Sequence, residues 1–485
     1  MLTIVLFVFF IVMLVIAYFL FKKDIGQPAI IFFASYTLSM FCACLNINKW
    51  SMDLGWQSFF TLLGGAIEFL TISYILMKFF EKKYRKKMDV EKKREIVQNK
   101  DFYKDGLINV EKWKVFLVII YDVVILICLI IAVLDIASKF GDYSNYSQAL
   151  TIFRENTSYN NNITMPRILT LAQKPMLAAV YIMLYVFIHN LVLEDKKLVI
   201  KLKNNMIYLI PVILGTLSFL VQSNRGSVLK VIVAGVMISI VLMNKKKNYI
   251  NTFSLKNIGT IVVIGVAVLI LFYAAASLIG RKTKYNFIEY ITMYAGGSIR
   301  NLDMYYKEPL NKDSTYIGIE TFHDLINNLG KIGILDVKNM PTNHLEFRFV
   351  ETDHGKLNTG NVYTAYRRWM QDFGIEGMIV LQAIMCVAFN FAYNKIKYSN
   401  KTNKSTLGII IIIYGLLSYT LFMHPIDGIF YNTIFRSAAI TQTIVTIIGY
   451  YILITDTKNI VLDCKNVFYK LKNNSKRKEN GNERG

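Results

Sequence analysis

The chain alternates between long apolar blocks and short polar connections. Eleven blocks stand out, at about 1–21, 27–46, 56–80, 115–137, 168–192, 206–222, 227–244, 259–279, 376–394, 406–423 and 436–455. A bilayer core about 30 Å thick needs roughly 20 apolar residues per crossing helix. The blocks lack the every-other-residue alternation of a membrane strand, and a helix satisfies its own backbone in lipid. The pattern predicts an all-α polytopic membrane protein with about 11 transmembrane helices and one membrane domain. Helices one to eight fall within residues 1–279, with a basic connection at 81–114. A large loop occupies 280–375, helices nine to eleven occupy 376–455, and a basic tail closes the chain at 456–485. The first block lacks a preceding basic region and is followed by Lys22-Lys23, so it reads as a retained anchor helix.

The large loop has its own pattern. Phe322, Leu325, Ile326 and Leu329 recur at helical spacing and predict an amphipathic helix. The stretch "FIEYITMYAGGSIRNLDMYY" is helical in pattern, with a break expected at Gly296-Gly297. "FVETDHGKLNTGN" reads as a loop. The following "GNVYTAYRRWMQDFG" is expected to begin a helix that runs into block nine.

Charge fixes an orientation. The basic connections at 78–114, 196–203, 245–247, 395–404 and 458–484 follow alternate blocks, so one topology satisfies them all. The excess of positive residues on cytoplasmic loops puts the N-terminus outside and the C-terminus in the cytoplasm. On this topology lysine is mostly inside. Arginine is mostly outside, at Arg154, Arg167, Arg225, Arg281, Arg300, Arg348, Arg367, Arg368 and Arg436. A guanidinium fork binds phosphate or carboxylate bidentately, whereas an ammonium acts as a point charge. The net charge of +22, the 54% apolar content and the mean hydropathy of +0.39 belong to that orientation signal. They do not indicate nucleic-acid binding. Cys42, Cys44, Cys128, Cys386 and Cys464 show no metal-ligand spacing, so no metal, cofactor or disulfide is expected.

Candidate chemistry gathers at the outer edge. "SNRG", Ser223 to Gly226, is a tight outer connection that sets Arg225 at the membrane face. In "YTAYRRW", Tyr363, Tyr366, Arg367 and Met370 share one helical face, and Arg368 points elsewhere, toward lipid headgroups. Asp372 stands five residues after Arg367, a poor spacing for a local ion pair. Such a face suits either an interfacial aromatic belt or a glycan-binding surface, and composition does not choose between them. For a proton acceptor, "ETDH" offers Glu351, Asp353 and His354. His189, His323, His344 and His424 are isolated in the sequence. Glu68, Asp122 and Asp135 lie inside apolar blocks, where ionisable groups are costly.

Taken together, "SNRG" between two closely joined helices, "GNVYTAYRRWMQDFGIEG" leading into a late helix, and the Arg281–Arg300 region carry a resemblance. The chain resembles the Wzy-type oligosaccharide repeat-unit polymerases, which make O-antigen and capsular polysaccharide. The resemblance in topology spans nearly the whole chain. It implies a metal-independent membrane glycosyltransferase of the cytoplasmic membrane, with a helical fold like the O-antigen ligases. The implied substrates are polyprenyl-pyrophosphate-linked oligosaccharides at the outer leaflet, and the implied partners are a flippase and a chain-length regulator, with no nucleic acid. Arg225 and Arg367 are carried over from the matching stretches as pyrophosphate ligands, and Arg281 and Arg300 join them by position. His354 resembles the single outer-loop histidine of the ligases in role, with Asp372 and Asp303 as carboxylate alternatives. Tyr363, Tyr366 and Trp369 are the candidates for stacking on sugars. A ligase, a flippase or other transporter, and a membrane scaffold are the competing readings.

Overall fold

The structure is a computed structural model. It describes residues 1–98, 106–158, 163–247, 249, 270, 273–274, 286–309, 316–338, 340, 345–352, 355–399 and 406–455, with no side chain described between 85 and 98 or at 158. The eighth apolar block apart from residues 270, 273 and 274, and Arg281, His344, Asp353, His354 and the basic tail, lie outside the described residues.

The apolar blocks fold as helices. They are α1 (Leu2–Leu20), α2 (Pro28–Cys44), α3 (Trp56–Gln98), α4 (Lys112–Ser138), α5 (Tyr146–Ser158), α6 (Arg167–Leu193), α7 (Leu198–Asn205), α8 (Leu209–Val221) and α9 (Arg225–Lys246). Beyond them come α10 (Phe287–Lys307), α11 (His323–Lys331), α12 (Thr364–Lys397), α13 (Thr406–Phe422), α14 (Phe430–Phe435) and α15 (Ser437–Ile454). Eight helical stretches among the described residues are long and apolar enough to cross a bilayer, and α2 and α13 are shorter apolar helices. Together these account for ten of the blocks. The protein is a helical membrane protein.

Burial separates the centre from the rim. The apolar window of α6 is 72% buried, against 22% for α4 and 11% for α15. α6 is therefore the central post. α1 turns Ile4, Val8, Ile11, Val15 and Phe19 outward, an apolar face that only lipid or a partner would cover favourably.

The two ends of the bundle are defined by polar contacts. At one end Asp24, before α2, meets Asn244 of α9 (2.8 Å), Tyr393 of α12 (2.5 Å) and Lys397 of α12 (2.7 Å). At the other end Asp303 of α10 accepts from the Gly55 N–H (2.7 Å) and from Ser58 of α3 (3.1 Å). The end of α9 and the start of α10 lie at opposite ends of the bundle.

Three expectations for the large loop need correction. α10 runs unbroken through Gly296-Gly297. Those glycines allow close packing instead of breaking the helix: a Cβ at Gly296 would stand 2.6 Å from the Ala43 nitrogen, and one at Gly297 2.5 Å from the Thr359 carbonyl oxygen. α10 starts with a capping box in which Asn286 and Glu289 bond each other's backbone N–H groups. Second, the segment after Phe347 is a hairpin, with β1 (Arg348–Thr352) antiparallel to β2 (Gly355–Gly360). Asn301 of α10 ties it down, donating to the carbonyls of Thr359 (3.2 Å) and Val362 (2.9 Å). Third, the helix entering block nine is broken at Gly374, whose φ of 68° and ψ of −169° lie outside the helical region and suit glycine. The expected amphipathic helix is present as α11.

The break at Gly374 matters most. Residues 364–370 are all buried, whereas 374–376 are exposed. Tyr366 and Gln382 flank Gly374 at equal distance in sequence, and both reach Gly65 of α3. The short helix before Gly374 therefore folds back into the bundle beside the helix that follows it.

Candidate functional site

The folded-back half-helix begins at Thr364 and Ala365. Their N–H groups, which a helix start leaves without internal partners, donate to the carbonyls of Ile426 (3.1 Å) and His424 (2.9 Å). The turn after α13 thus seats the start of α12. Ser298 of α10 holds the same turn through the Pro425 carbonyl (2.7 Å).

Arg367 is fully buried and pairs with Glu320 of the large loop. Its guanidinium also lies over the rings of Tyr305 (5.5 Å) and Tyr363 (5.3 Å). Among the described residues its Nε and second terminal nitrogen have no hydrogen-bond partner. Arg368 is buried too, which corrects its expected place among headgroups. It grips Asp427 through Nε (2.6 Å) and a terminal nitrogen (3.1 Å) and stands 3.9 Å from Glu320. The fork–fork geometry with Asp427 is the strong form of this pair.

Asp372 does not pair with Arg367. It accepts the backbone N–H groups of Glu320 (3.3 Å) and Thr321 (2.6 Å), and so holds the loop segment that delivers Glu320. Asp303 is similarly occupied. Besides Gly55 and Ser58 it pairs with Arg300 (3.0 Å) and Lys307 (2.8 Å), which makes it an anchor between α10 and α3. Arg300 is thereby neutralised locally.

Tyr363, Tyr366 and Trp369 are each fully buried. Tyr363 donates to the Glu346 carbonyl (2.8 Å) and accepts from Arg348 (3.2 Å). Tyr366 and Trp369 pack edge-on against the His424 ring, at 5.0 and 5.2 Å between centroids. In this state their faces meet protein. His424 is the centre of that box. Its Nδ1 bonds the Tyr36 hydroxyl at 2.8 Å, and burial pushes its pKa down to about 3, so the imidazole is neutral.

Arg225 is set differently. It opens α9, where the Asn224 side chain caps the Ser227 N–H (3.2 Å). It donates to the Tyr294 hydroxyl (2.6 Å) and lies over the rings of Tyr290 (5.1 Å) and Tyr294 (4.9 Å). A second set of cations lies at the same end of the bundle. Lys230, also on α9, sits over the Tyr419 ring (5.3 Å) and makes no ion pair among the described residues. Lys174 of α6 donates to the Ala438 carbonyl (3.1 Å). Arg436 lies within electrostatic range of both Lys174 and Lys230, and its nearest carboxylate contact is a loose 3.7 Å to Asp324. Tyr419 in turn feels the charge of Asp427, which joins the two groups.

This end of the molecule is thus an ionic belt. Arg367, Arg368 and Arg436 meet the carboxylates Glu320, Asp324 and Asp427, Lys174 and Lys230 lie within range of Arg436, and Arg225 stands five residues before Lys230 on α9. Among the described residues positive groups are in excess here, and the excess falls on the α6–α9–α15 side. Sequence reasoning missed Glu320, Asp427, Lys174, Lys230 and the central role of His424. Glu320 and Asp427 lie 47 and 59 residues from the arginines they pair with, so no local spacing marks them. Among the described residues no group of His, Cys, Asp and Glu could hold a metal ion. Comparison with known proteins returns no matching family model, no matching curated protein and no matching solved structure.

Proposed function

We propose that this protein is a metal-independent glycosyltransferase that polymerises polyprenyl-pyrophosphate-linked oligosaccharide repeat units at the outer leaflet of the cytoplasmic membrane. The observation that carries the reading is the cation excess of the ionic belt, placed at the end of the bundle that the charge rule assigns to the outside. Fixed cations in a low-dielectric site stabilise a dianionic group strongly and need no reorganisation as its charge grows. A pyrophosphate attached to a membrane-embedded lipid has the right charge and depth. No nucleotide need be supplied, because the donor carries its own leaving group.

In this proposal an acceptor sugar hydroxyl attacks the anomeric carbon of the donor glycan. The bond from that carbon to the phosphate oxygen breaks, and the electron pair leaves on the pyrophosphate. Arg225, Lys230, Lys174 and Arg436 hold the developing charge. The two unfilled nitrogens of Arg367 are further donors for it, and Arg281 remains a proposed ligand. The hydroxyl proton passes to a base, a role kept for His354, because Asp372 and Asp303 already accept the hydrogen bonds described above. Sugar stacking on Tyr363, Tyr366 and Trp369 requires opening of the packing around them. The flippase and chain-length regulator remain proposed partners.

The test is the glycan pattern of a deletion strain complemented with Arg225→Lys, with protein level checked in membranes. Accumulation of single repeat units at normal protein level supports polymerisation. Loss of all outer-face repeats would point to a flippase, and a wild-type ladder would remove Arg225 from the reading.

A further inference from the structure

A second polar feature runs through the membrane-spanning part and has no role in the transfer chemistry. On the long half of α12, Gln382, Cys386, Asn390 and Asn394 recur every four residues, so they line one face, and all are fully buried. They meet Gly65, Glu68 and Ser73 of α3. The amide nitrogens are all placed. Gln382 donates to the Gly65 carbonyl (2.7 Å) and to Glu68 (2.9 Å), Asn390 to Ser73 (2.9 Å), and Asn394 to the Asn390 carbonyl (2.8 Å).

The oxygens are the opposite case. Among the described residues, the amide oxygens of Gln382, Asn390 and Asn394 have no donor, and neither has one oxygen of Glu68. Turning an amide over does not help, because its oxygen would then face a backbone carbonyl, that of Gly65, Cys386 or Asn390 in turn. The pattern continues at both ends of the seam. At the inner end, among the described residues, the Asn244 oxygen and both polar atoms of Gln27 lack partners, beside the Asp24–Tyr393–Lys397 cluster and Tyr249, whose ring lies 4.9 Å from the Lys397 nitrogen. At the outer end the His424 Nε2 lacks a partner among the described residues while its Nδ1 holds Tyr36. Tyr366 stands between them, its hydroxyl against Gly65.

Interhelical hydrogen bonding explains the nitrogens and leaves the oxygens unexplained. Buried polar atoms are normally satisfied, and a row of unsatisfied acceptors in a polar cleft is what ordered water fills. At about 1.5 Å per residue, Gln382 to Lys397 spans about 22 Å, a large part of the bilayer core. Within that row Glu68 can take up and release a proton, flanked by Gln382 and Tyr366, with the Cys386 thiol and Ser73 on the inner side.

We propose that the seam between α2, α3 and α12 holds a file of ordered water that carries protons between Asp24 and the Tyr36–His424 pair, with Glu68 as the protonatable step. The ligand is water, and the activity is proton transfer through the protein. It stands independently of the glycan chemistry.

The full-length protein serves for both parts of the test. Radiolytic hydroxyl-radical footprinting reports water beside side chains. Cys386 should be oxidised about ten-fold faster than Met183, an equally buried sulfur residue of α6 away from the seam. Asn390→Leu should lower that rate several-fold. In proteoliposomes under a potassium diffusion potential, proton uptake should exceed that of protein-free vesicles. Glu68→Gln keeps a hydrogen-bonding side chain at the same place and should cut uptake several-fold without changing Cys386 oxidation. Cys386 as silent as Met183 would overturn the water file. Uptake equal to that of protein-free vesicles, or unchanged in Glu68→Gln, would overturn the proton path.

Discussion

Arg367 and Lys230 are both cations at the same end of one helical bundle, yet they are built into opposite surroundings. Arg367 and its neighbour Arg368 are closed in by Glu320 and Asp427, brought from a distant loop and a distant turn. Lys230 has an aromatic face beneath it and the Arg436 charge within range, with no ion pair among the described residues. The difference separates two uses of positive charge. A compensated pair in the interior holds elements together, and removal of one partner leaves a buried charge behind. An uncompensated group stands ready for an anion that the protein itself does not supply. Arg367 and Arg368, which look like a binding motif in the sequence, are in the first class, and Lys230, which no motif announces, is in the second.

The largest effect is expected from breaking the compensated side. Arg367→Ala leaves Glu320 buried without its principal partner and should destabilise the protein by about 3–5 kcal/mol. Folded protein in membranes should fall sharply, read by detergent-resistant yield and thermal melting. Arg367→Met combined with Glu320→Leu should restore much of the loss, because both charges leave together. Failure of the double variant to recover would mean that Arg367 does more than pair.

Next come the two α9 cations, Arg225 and Lys230. Arg225→Ala and Lys230→Ala should each accumulate to normal levels and each lower polymerisation by about 100-fold, the scale for loss of one transition-state donor. Comparable activity loss with comparable protein loss would erase the distinction between the two regions.

A smaller effect tests how tightly the compensating loop is seated. Gly297→Ala places a methyl 2.5 Å from the Thr359 carbonyl oxygen and should cost about 1–3 kcal/mol by overpacking. The hairpin should become more accessible to protease. Unchanged melting would show that β2 can shift away from α10 freely.

The effect that is smallest near neutral pH is a pH dependence centred on the box between the regions. The His424 pKa is pushed down to about 3 in the folded state, below the value of about 6.5 in an unfolded chain. The unfolded chain therefore binds more protons below that upper value, and stability falls as pH drops through about 6.5 toward 3. The slope approaches about 1.4 kcal/mol per pH unit for one proton. Melting of wild type against His424→Gln across that window checks it, and parallel curves would remove His424 from the account.

The sequence was informative where the physics is local. Apolar block length sets the spanning helices, and the spacing of Phe322, Leu325, Ile326 and Leu329 sets α11. It was misleading where a local signal has a tertiary purpose. Gly296-Gly297 reads as a break, but those glycines admit the backbone of α2 and β2. Gly374, unremarkable in sequence, is the position at which the helix turns back. That fold-back buries Tyr366, Arg367, Arg368 and Trp369 together. A single-helix reading would have placed them at the membrane surface. The pairings of Arg367 with Glu320 and of Arg368 with Asp427 depend on contacts across long stretches of chain, which residue periodicity does not encode. Lys174, Lys230 and Arg436 come from three different helices or their ends, and only the packed bundle brings them together.

The central claim is that the cations of the ionic belt hold a lipid pyrophosphate. Binding of undecaprenyl pyrophosphate to the purified protein, followed by native mass spectrometry, tests it most directly. The account predicts binding weakened at least about ten-fold in Arg225→Ala/Lys230→Ala, a loss of about 1.4 kcal/mol or more. It predicts no change in Lys22→Ala, an exposed lysine at the opposite end of the bundle. Equal binding by all three proteins would contradict it.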